Sequence, residues 1–222
     1  ERIALKHVKK TPYLTPLLYN SIISTTDVEN WKEQRQHYQK SFSVNNELKK
    51  LVPISNNRAK KSVEILKEKL NSLNCDHEYF DIHDFFLNET LAQLQLAMFG
   101  LSNEFQEKTN VKIRKAFKGE NIEYGKEYAF SLLEEVKKSS GPLSCPMRTE
   151  SGTRKQKYGN ALIFTFAGHD TTANTLSWLF FEICKNRKVY DKLQEEIDAF
   201  WNLVGQREIE YDDLKQLKYL TR

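Results

Sequence analysis

The longest uninterrupted helical pattern in the sequence runs from Tyr158 to about Asn186, and it constrains the fold more than any other feature. It contains no proline, and its acidic residues are Asp170 and Glu182. A helix of that length would extend roughly 43 Å at about 1.5 Å per residue. Asn, Thr, His and Asp side chains in its middle exclude a transmembrane span, because the bilayer penalty for polar groups is greatest there. We therefore predict the buried central helix of a large helical domain.

The remaining sequence is also helical in character, with only eight glycines and five prolines in 222 residues. Asp27 or Asn30 can cap the first clear helix, and Gly100 is suited to end a later one. Mainly α structure is thus the predicted fold class, with residues 1–222 forming the central part of one larger domain whose two ends lie outside this sequence. Besides the central helix, the predicted helices cover 31–42, 56–73, 81–99, one or two helices within 101–138, 189–200, and a last one starting near 214.

Charge and cysteine content narrow the function classes. The net charge is +4 without a dense Lys/Arg tract, which argues against a nucleic-acid partner and leaves either a solvated surface or a basic face for an acidic protein. Cys75, Cys145 and Cys184 are far apart and form no C-x-x-C motif. This spacing predicts free thiols in a reducing compartment and no zinc site.

A polar turn, Ala-Gly-His-Asp-Thr-Thr at 167–172, interrupts the apolar central helix. Ala167, Asp170 and Thr171 share one face because they are three and four residues apart. Phe164 extends this face backwards, and polar residues at 174 and 175 extend it forwards. We expect a polar stripe inside an apolar core, with a close backbone approach at Gly168.

The two threonines of this turn, at 171 and 172, can donate hydrogen bonds to carbonyls one turn earlier, and such bonds bend helices. A kinked or widened turn is therefore predicted here. The alternative is that Asp170 is simply a paired core acid and that the threonines only satisfy backbone groups.

The turn resembles the A/G-G-x-D/E-T-T/S signature in the long helix of the cytochrome P-450 family, and its flanks at 160–166 and 176–182 are similar too. The resemblance implies that Ala167 and Gly168 pass over a haem. It further implies that Asp170 and Thr171 order water and relay protons to oxygen, and that Phe164 forms part of the substrate wall. A hydroxyl beside an acid in a dry site is suited to that proton transfer.

A second motif, Trp31-Lys-Glu-Gln-Arg35, resembles the family's W-x-x-x-R helix, whose indole N–H and guanidinium bind a haem propionate. The same spacing also occurs on ordinary exposed helices. Phe99-Gly100 resembles the end of the family's mid-domain helix, and 193–197 and 214–220 resemble later helices. The resemblance therefore extends over roughly 20–222 in the expected order.

Several family features are absent from this sequence. It contains neither the E-x-x-R helix nor the Gly-rich loop with the thiolate cysteine, and none of its three cysteines stands in such a context. The stretch between Gly100 and Ala167 is short for the family, which leaves the pocket shape open. We predict no metal ligand within this chain, an axial cysteine outside it, and no activity of the fragment alone.

The resemblance implies that the parent protein is a haem-thiolate monooxygenase that inserts one oxygen atom from O₂ into an apolar organic substrate. Its electrons would come from a reductase or ferredoxin. An upstream anchor in the endoplasmic-reticulum membrane is implied by resemblance, with a cytoplasmic form as the alternative.

The sequence leaves two rival functions open. One is a metal-dependent hydrolase that uses His169 and Asp170 as ligands, which would need further His or Asp ligands at helical spacing. The other is a non-catalytic helical remnant of the same fold that serves as a binding module.

Overall fold

A computed structural model describes residues 15–43, 48–72, 79–139, 152–205 and 207–221. The regular elements in these ranges are all helical, which confirms the predicted mainly α class. In chain order they are α1 Thr15–Leu18, α2 Val28–Ser43, α3 Val52–Ser72, α4 Ile82–Leu94, α5 Asn103–Phe117, α6 Ile122–Lys138, α7 Arg154–Lys185, α8 Arg187–Val204, and a 3₁₀ helix at Tyr211–Gln216. Cys75, Cys145 and most of the polar segment before α7 lie outside the described residues.

Polar caps set the beginnings of the helices that carry the site. The Asp27 carboxylate accepts hydrogen bonds from the backbone N–H groups of Glu29 and Asn30, so α2 starts three residues before the predicted Trp31. The Thr153 side chain accepts from the N–H of Gln156, whose own side chain accepts from the N–H of Thr153. This capping box starts the central helix α7 at Arg154.

The helix α4 ends in a wider turn that the sequence did not predict. Residues Gln95–Phe99 form a π-helical turn, and Gly100 ends it with φ 68°. A positive φ strains residues that carry a Cβ, which explains the glycine at this position. By contrast, α7 is α-helical throughout Arg154–Lys185, so the widened turn predicted at 167–172 was wrong.

The main core lies between α7 and the helices α4, α5 and α6. One side of α7 packs most extensively against α4, and α6 covers the neighbouring side. The short helix α1 closes this core from the end at which α7 begins. Fully buried side chains in this core include Leu91, Phe99, Leu101, Ile113, Tyr128, Leu132, Val136 and Leu162.

The central helix is buried along one side only. Ala161, Thr165, His169 and Ala173 are buried there, whereas a run of large apolar side chains near its end is exposed. Helices α4 and α6 cover the first side, and the described residues leave much of the other uncovered. Within the described residues, the predicted burial of the central helix is found on the side that α4 and α6 cover. The exposed run comprises Trp178, Leu179, Phe180 and Phe181.

The last helices extend the molecule beyond this core. Leu193 and Phe200 are buried on one side of α8, as their helical spacing predicted. The Arg207 guanidinium binds the Asp213 carboxylate through two hydrogen bonds of 2.7 and 2.8 Å and attaches the 3₁₀ helix. Among the described residues, we found no helix that combines the length and the apolar character needed to span a bilayer.

Candidate functional site

The polar turn lies midway along α7 on the side that the other helices leave open. Ala167 and Thr171 are exposed, and Asp170 is partly exposed. The stripe predicted inside an apolar core is thus at the surface of the described chain. Helix α2 contacts α7 one turn earlier, at Phe164.

The threonine hydroxyls bind the backbone as predicted. The hydroxyl of Thr171 donates to the carbonyl of Ala167 over 2.8 Å, and that of Thr172 donates to the carbonyl of Gly168 over 3.1 Å. These bonds use the hydroxyl protons and leave the oxygen lone pairs able to accept a proton donor from the open side.

Asp170 is bound by the next turn of the same helix. The Asn174 amide donates to the backbone carbonyl of Asp170 over 2.9 Å and to its carboxylate over 3.4 Å. Since this carboxylate is partly exposed, it is not the buried core acid of the alternative interpretation. Thr171, the next residue, is exposed as well and points about 100° further around the helix.

Gly168 contacts α4. A Cβ at this position would lie 2.7 Å from Cδ1 of Leu94, which is closer than real Cβ contacts allow. The close approach expected at Gly168 is therefore found, and it is an approach to a neighbouring helix. The structure supplies a packing reason for the glycine, while its predicted part in haem clearance stays a prediction.

His169 points into the core. Its Nδ1 lies 2.7 Å from the Thr165 carbonyl oxygen, and its ring stacks on Phe117 with centroids 5.4 Å apart. Burial lowers the pKa of this imidazole below its usual range, and the hydrogen bond to the Thr165 carbonyl opposes that shift.

This geometry gives no support to the metal-hydrolase alternative. The His169 ring is buried and bonded to the backbone, whereas Asp170 is directed towards the open side. Nor do the described ranges hold a cluster of three or more His, Cys, Asp or Glu side chains with metal-binding geometry.

Phe164 belongs to an aromatic cluster that the sequence analysis did not identify. Its ring packs edge-on against Tyr38 with centroids 4.9 Å apart and against Phe42 at 5.6 Å. The signal was present in the sequence, because positions 31, 35, 38 and 42 repeat at spacings of four, three and four and share one face of α2.

Trp31 and Arg35 lie on this same face of α2, about two turns and about one turn before Tyr38. The indole is partly exposed and the guanidinium is exposed. Both side chains belong to the helix that contacts α7 at Asn160 and Phe164, and their role in binding a propionate stays a prediction.

Part of this chain is similar to known proteins. The family model of cytochrome P450 matches residues 144–222, which include the whole of α7. A bifunctional cytochrome P-450/NADPH–P-450 reductase of Aspergillus oryzae is 42% identical over 62 residues, or 28% of this chain and 5% of that protein. Cytochrome P-450 3A27 of Oncorhynchus mykiss is 34% identical over 89 residues, or 40% of this chain and 17% of that protein. Cytochrome P-450 4F5 of Rattus norvegicus is 41% identical over 61 residues, or 26% of this chain and 11% of that protein.

The match over residues 144–222 and these relatives support a fragment of the cytochrome P-450 family. The matched stretches span between 5% and 17% of the length of these three P-450 relatives. The family model begins at residue 144 and does not include Trp31 or Arg35. Their predicted part in binding a haem propionate therefore rests on the W-x-x-x-R motif and on the contact between α2 and α7.

The residues around the turn fit the haem that P-450 proteins carry. Ala167 presents a small side chain on an open face, which leaves room for a flat group, and Arg35 offers an exposed cation for a carboxylate. Cys184 is the free cysteine within the described residues. It lies thirteen residues beyond Thr171, roughly 20 Å along the helix axis, and is too distant to serve a group bound at the turn.

Proposed function

We propose that the parent protein is a haem-thiolate monooxygenase that inserts one oxygen atom from O₂ into an apolar organic substrate. The observation that carries this proposal is the open face of α7, where the small Ala167 stands beside the Asp170 carboxylate and the Thr171 hydroxyl. We further propose that this chain is the central part of a single P-450 domain. It would contribute one wall of the site and be inactive alone, with the axial cysteine outside this chain.

The polar turn at 167–172 would carry out the proton transfer that the reaction needs. Because the Thr171 hydroxyl proton is bound to the Ala167 carbonyl, its oxygen can accept a hydrogen bond from a water on the open side. The carboxylate of Asp170, the preceding residue, can bind a water, accept a proton and then pass that proton on through the water. Enclosure of this face would strengthen both interactions, since they weaken in bulk water.

The cofactor would lie along the open face. When bound, haem supplies the chemistry that activates O₂. Trp31 and Arg35 would bind a propionate through the indole N–H and the guanidinium, while Ala167 and Gly168 would lie beneath the flat group. The cluster of Phe164, Tyr38 and Phe42 would form an apolar wall for the substrate.

Electrons would come from a redox partner, a reductase or a ferredoxin. Support comes from the Aspergillus oryzae relative, whose name describes a cytochrome P-450 joined to an NADPH–P-450 reductase. We propose that the parent protein resides on the cytosolic face of the endoplasmic-reticulum membrane through an upstream anchor, with a cytoplasmic form as the alternative.

The decisive test is a carbon-monoxide difference spectrum of the parent protein after haem loading. We expect the Soret band that is typical of thiolate-ligated haem. A spectrum without this band would overturn the monooxygenase proposal and favour the alternative of a non-catalytic helical module.

A further inference from the structure

Asn160 joins three separate segments of the chain through one buried amide group. Its side chain is in the first turns of α7 and is 1% exposed. Its Oδ1 accepts from the backbone N–H of Ile22 over 2.8 Å. Its Nδ2 donates to Oε1 of Gln34 over 2.7 Å and to the Tyr38 hydroxyl over 3.0 Å. Both donors and the acceptor of the amide are thereby used.

The orientation of this amide follows from its partners. The backbone N–H of Ile22 can only donate, so it requires Oδ1 of Asn160. Gln34 is held in the same way, because its Nε2 donates to the backbone carbonyl of Asn20 over 3.0 Å and leaves Oε1 for Asn160. A side chain at position 160 that lacks either a donor or an acceptor cannot maintain these hydrogen bonds, and it would leave buried polar groups unsatisfied.

The Asn160 side chain lies at the N-terminal end of the face of α7 that carries the candidate site. Asn160, Phe164, Ala167 and Thr171 follow one another at spacings of four, three and four, and so share one face of α7. On α2, Tyr38 is both a hydrogen-bond partner of Asn160 and an edge contact of Phe164. The contact between Asn160 and α2 therefore sets how the two stripes face each other.

We propose that Asn160 is a positioning residue that sets the register of α2 against α7. It thereby fixes where Trp31 and Arg35 lie relative to the turn at Ala167 and Thr171. The assignment of these four residues to a cofactor site rests on the proposed function, whereas the register itself is a property of the chain.

The experiment measures the register directly. Nitroxide labels are attached at Gln36→Cys on α2 and Thr175→Cys on α7, both exposed positions, after the three native cysteines are replaced by serine. Pulsed electron resonance then gives the distribution of label-to-label distances. We expect one narrow distribution for the labelled chain in which Asn160 is retained. Asn160→Ala should broaden or shift it by up to one helical turn, about 5.4 Å.

Tyr128→Phe is the matched control on the other side of α7. It removes a buried hydroxyl that accepts from Gln95 and lies 3.4 Å from Thr165, but it leaves the α2 contact intact. This control should keep the narrow distribution. If it broadens the distances as much as Asn160→Ala does, Asn160 has only a general structural role and the proposal is overturned.

Tyr38→Phe is the second variant in case Asn160→Ala fails to fold. It keeps the ring that packs on Phe164 and removes one of the three bonds to Asn160, so we expect a smaller broadening. An unchanged distribution in the folded variants, checked by circular dichroism, overturns the proposal. Because no haem is present, this outcome is independent of the carbon-monoxide spectrum.

Discussion

At the scale of single residues, the turn divides its side chains between two environments. Thr171 and Asp170 face the open side, while the adjacent His169 is buried and bonded to a backbone carbonyl. Neighbours in a helix point about 100° apart, so one turn can serve both packing and chemistry. Residue type alone did not separate these roles, because His, Asp and Thr all occur at sites of either kind.

Thr171→Ala in the parent protein should uncouple oxygen consumption from product formation. Positioned proton transfer contributes about 10²–10⁴-fold to such steps, so we expect the product formed per electron to fall by about tenfold or more. Oxygen and reductant would still be consumed, and peroxide would appear. Thr171→Ser is the control because it keeps the hydroxyl. Unchanged coupling in Thr171→Ala would remove Thr171 from the mechanism.

His169 should make the stability of the chain depend on pH. Its folded-state pKa is lowered by burial, so the unfolded chain binds the proton first as the pH falls. The contribution to stability is complete above the ordinary pKa of histidine, about 6.5, and is lost as the pH falls towards the folded-state value. For one proton the slope is at most about 1.4 kcal/mol per pH unit.

Urea unfolding between about pH 7.5 and about pH 5.5 tests this expectation, because histidine titrates in that range. The unfolding free energy of the chain that retains His169 should decrease on acidification. His169→Gln, which cannot titrate, should show a shallower decrease. Equal slopes in the two proteins would contradict the assignment to His169.

At the scale of elements, close backbone contacts decide how the short helix α1 meets α7. A Cβ at Gly159 would lie 1.9 Å from the Leu18 carbonyl oxygen and 3.0 Å from Cβ of Ser21. Backbone atoms cannot rotate away as a flexible side chain can, so α1 would have to move. The neighbouring Asn160 accepts from the next segment at Ile22, which means that two adjacent residues of α7 hold this corner.

Gly159→Ala should therefore destabilise the chain in spite of the better helix propensity of alanine. Overpacking costs typically about 1–3 kcal/mol, against about 1 kcal/mol gained from propensity. Gly125→Ala on α6 is the matched control, because its Cβ would meet Leu17 Cδ1 at an ordinary 3.4 Å. Urea unfolding of both variants gives the comparison. A Gly159→Ala chain as stable as the Gly125→Ala chain would show that α1 is not held closely.

At the scale of the whole molecule, the described chain leaves a large apolar surface along the second half of α7. Trp178 is 64% exposed and Phe181 is 52% exposed, whereas Leu91 in the main core is 0% exposed. Contiguous exposed apolar patches are typical of surfaces that bind other segments or proteins. The stability of this chain therefore depends on the side of α7 that packs against α4 and α6.

Trp178→Gln and Phe181→Gln should each change the unfolding free energy of this chain by no more than about 0.5 kcal/mol, as is usual for exposed positions. Both should reduce binding of a hydrophobic dye. Leu91→Ala is the contrasting variant and should cost about 2–5 kcal/mol, because it opens a cavity in the core. A loss of several kcal/mol in the Gln variants would show that the two aromatic side chains are already covered in solution.

The sequence by itself determined the helices and the composition of the turn. Helical spacing and helix-end residues such as Asp27 and Gly100 are local, so they could be identified without tertiary information. The back-bonding of Thr171 and Thr172 was predictable for the same reason.

Only the tertiary structure decided which side of α7 is open, because burial depends on segments far away in the chain. The open stripe at Ala167 and Thr171, the contact of Gly168 with Leu94, and the aromatic cluster around Phe164 all depend on where α2 and α4 pack. The π-helical turn at Gln95–Phe99 escaped prediction too, since its apolar residues match an ordinary helical pattern equally well. The motif could thus be recognised from the sequence, but the packing of distant segments decides which of its residues are exposed.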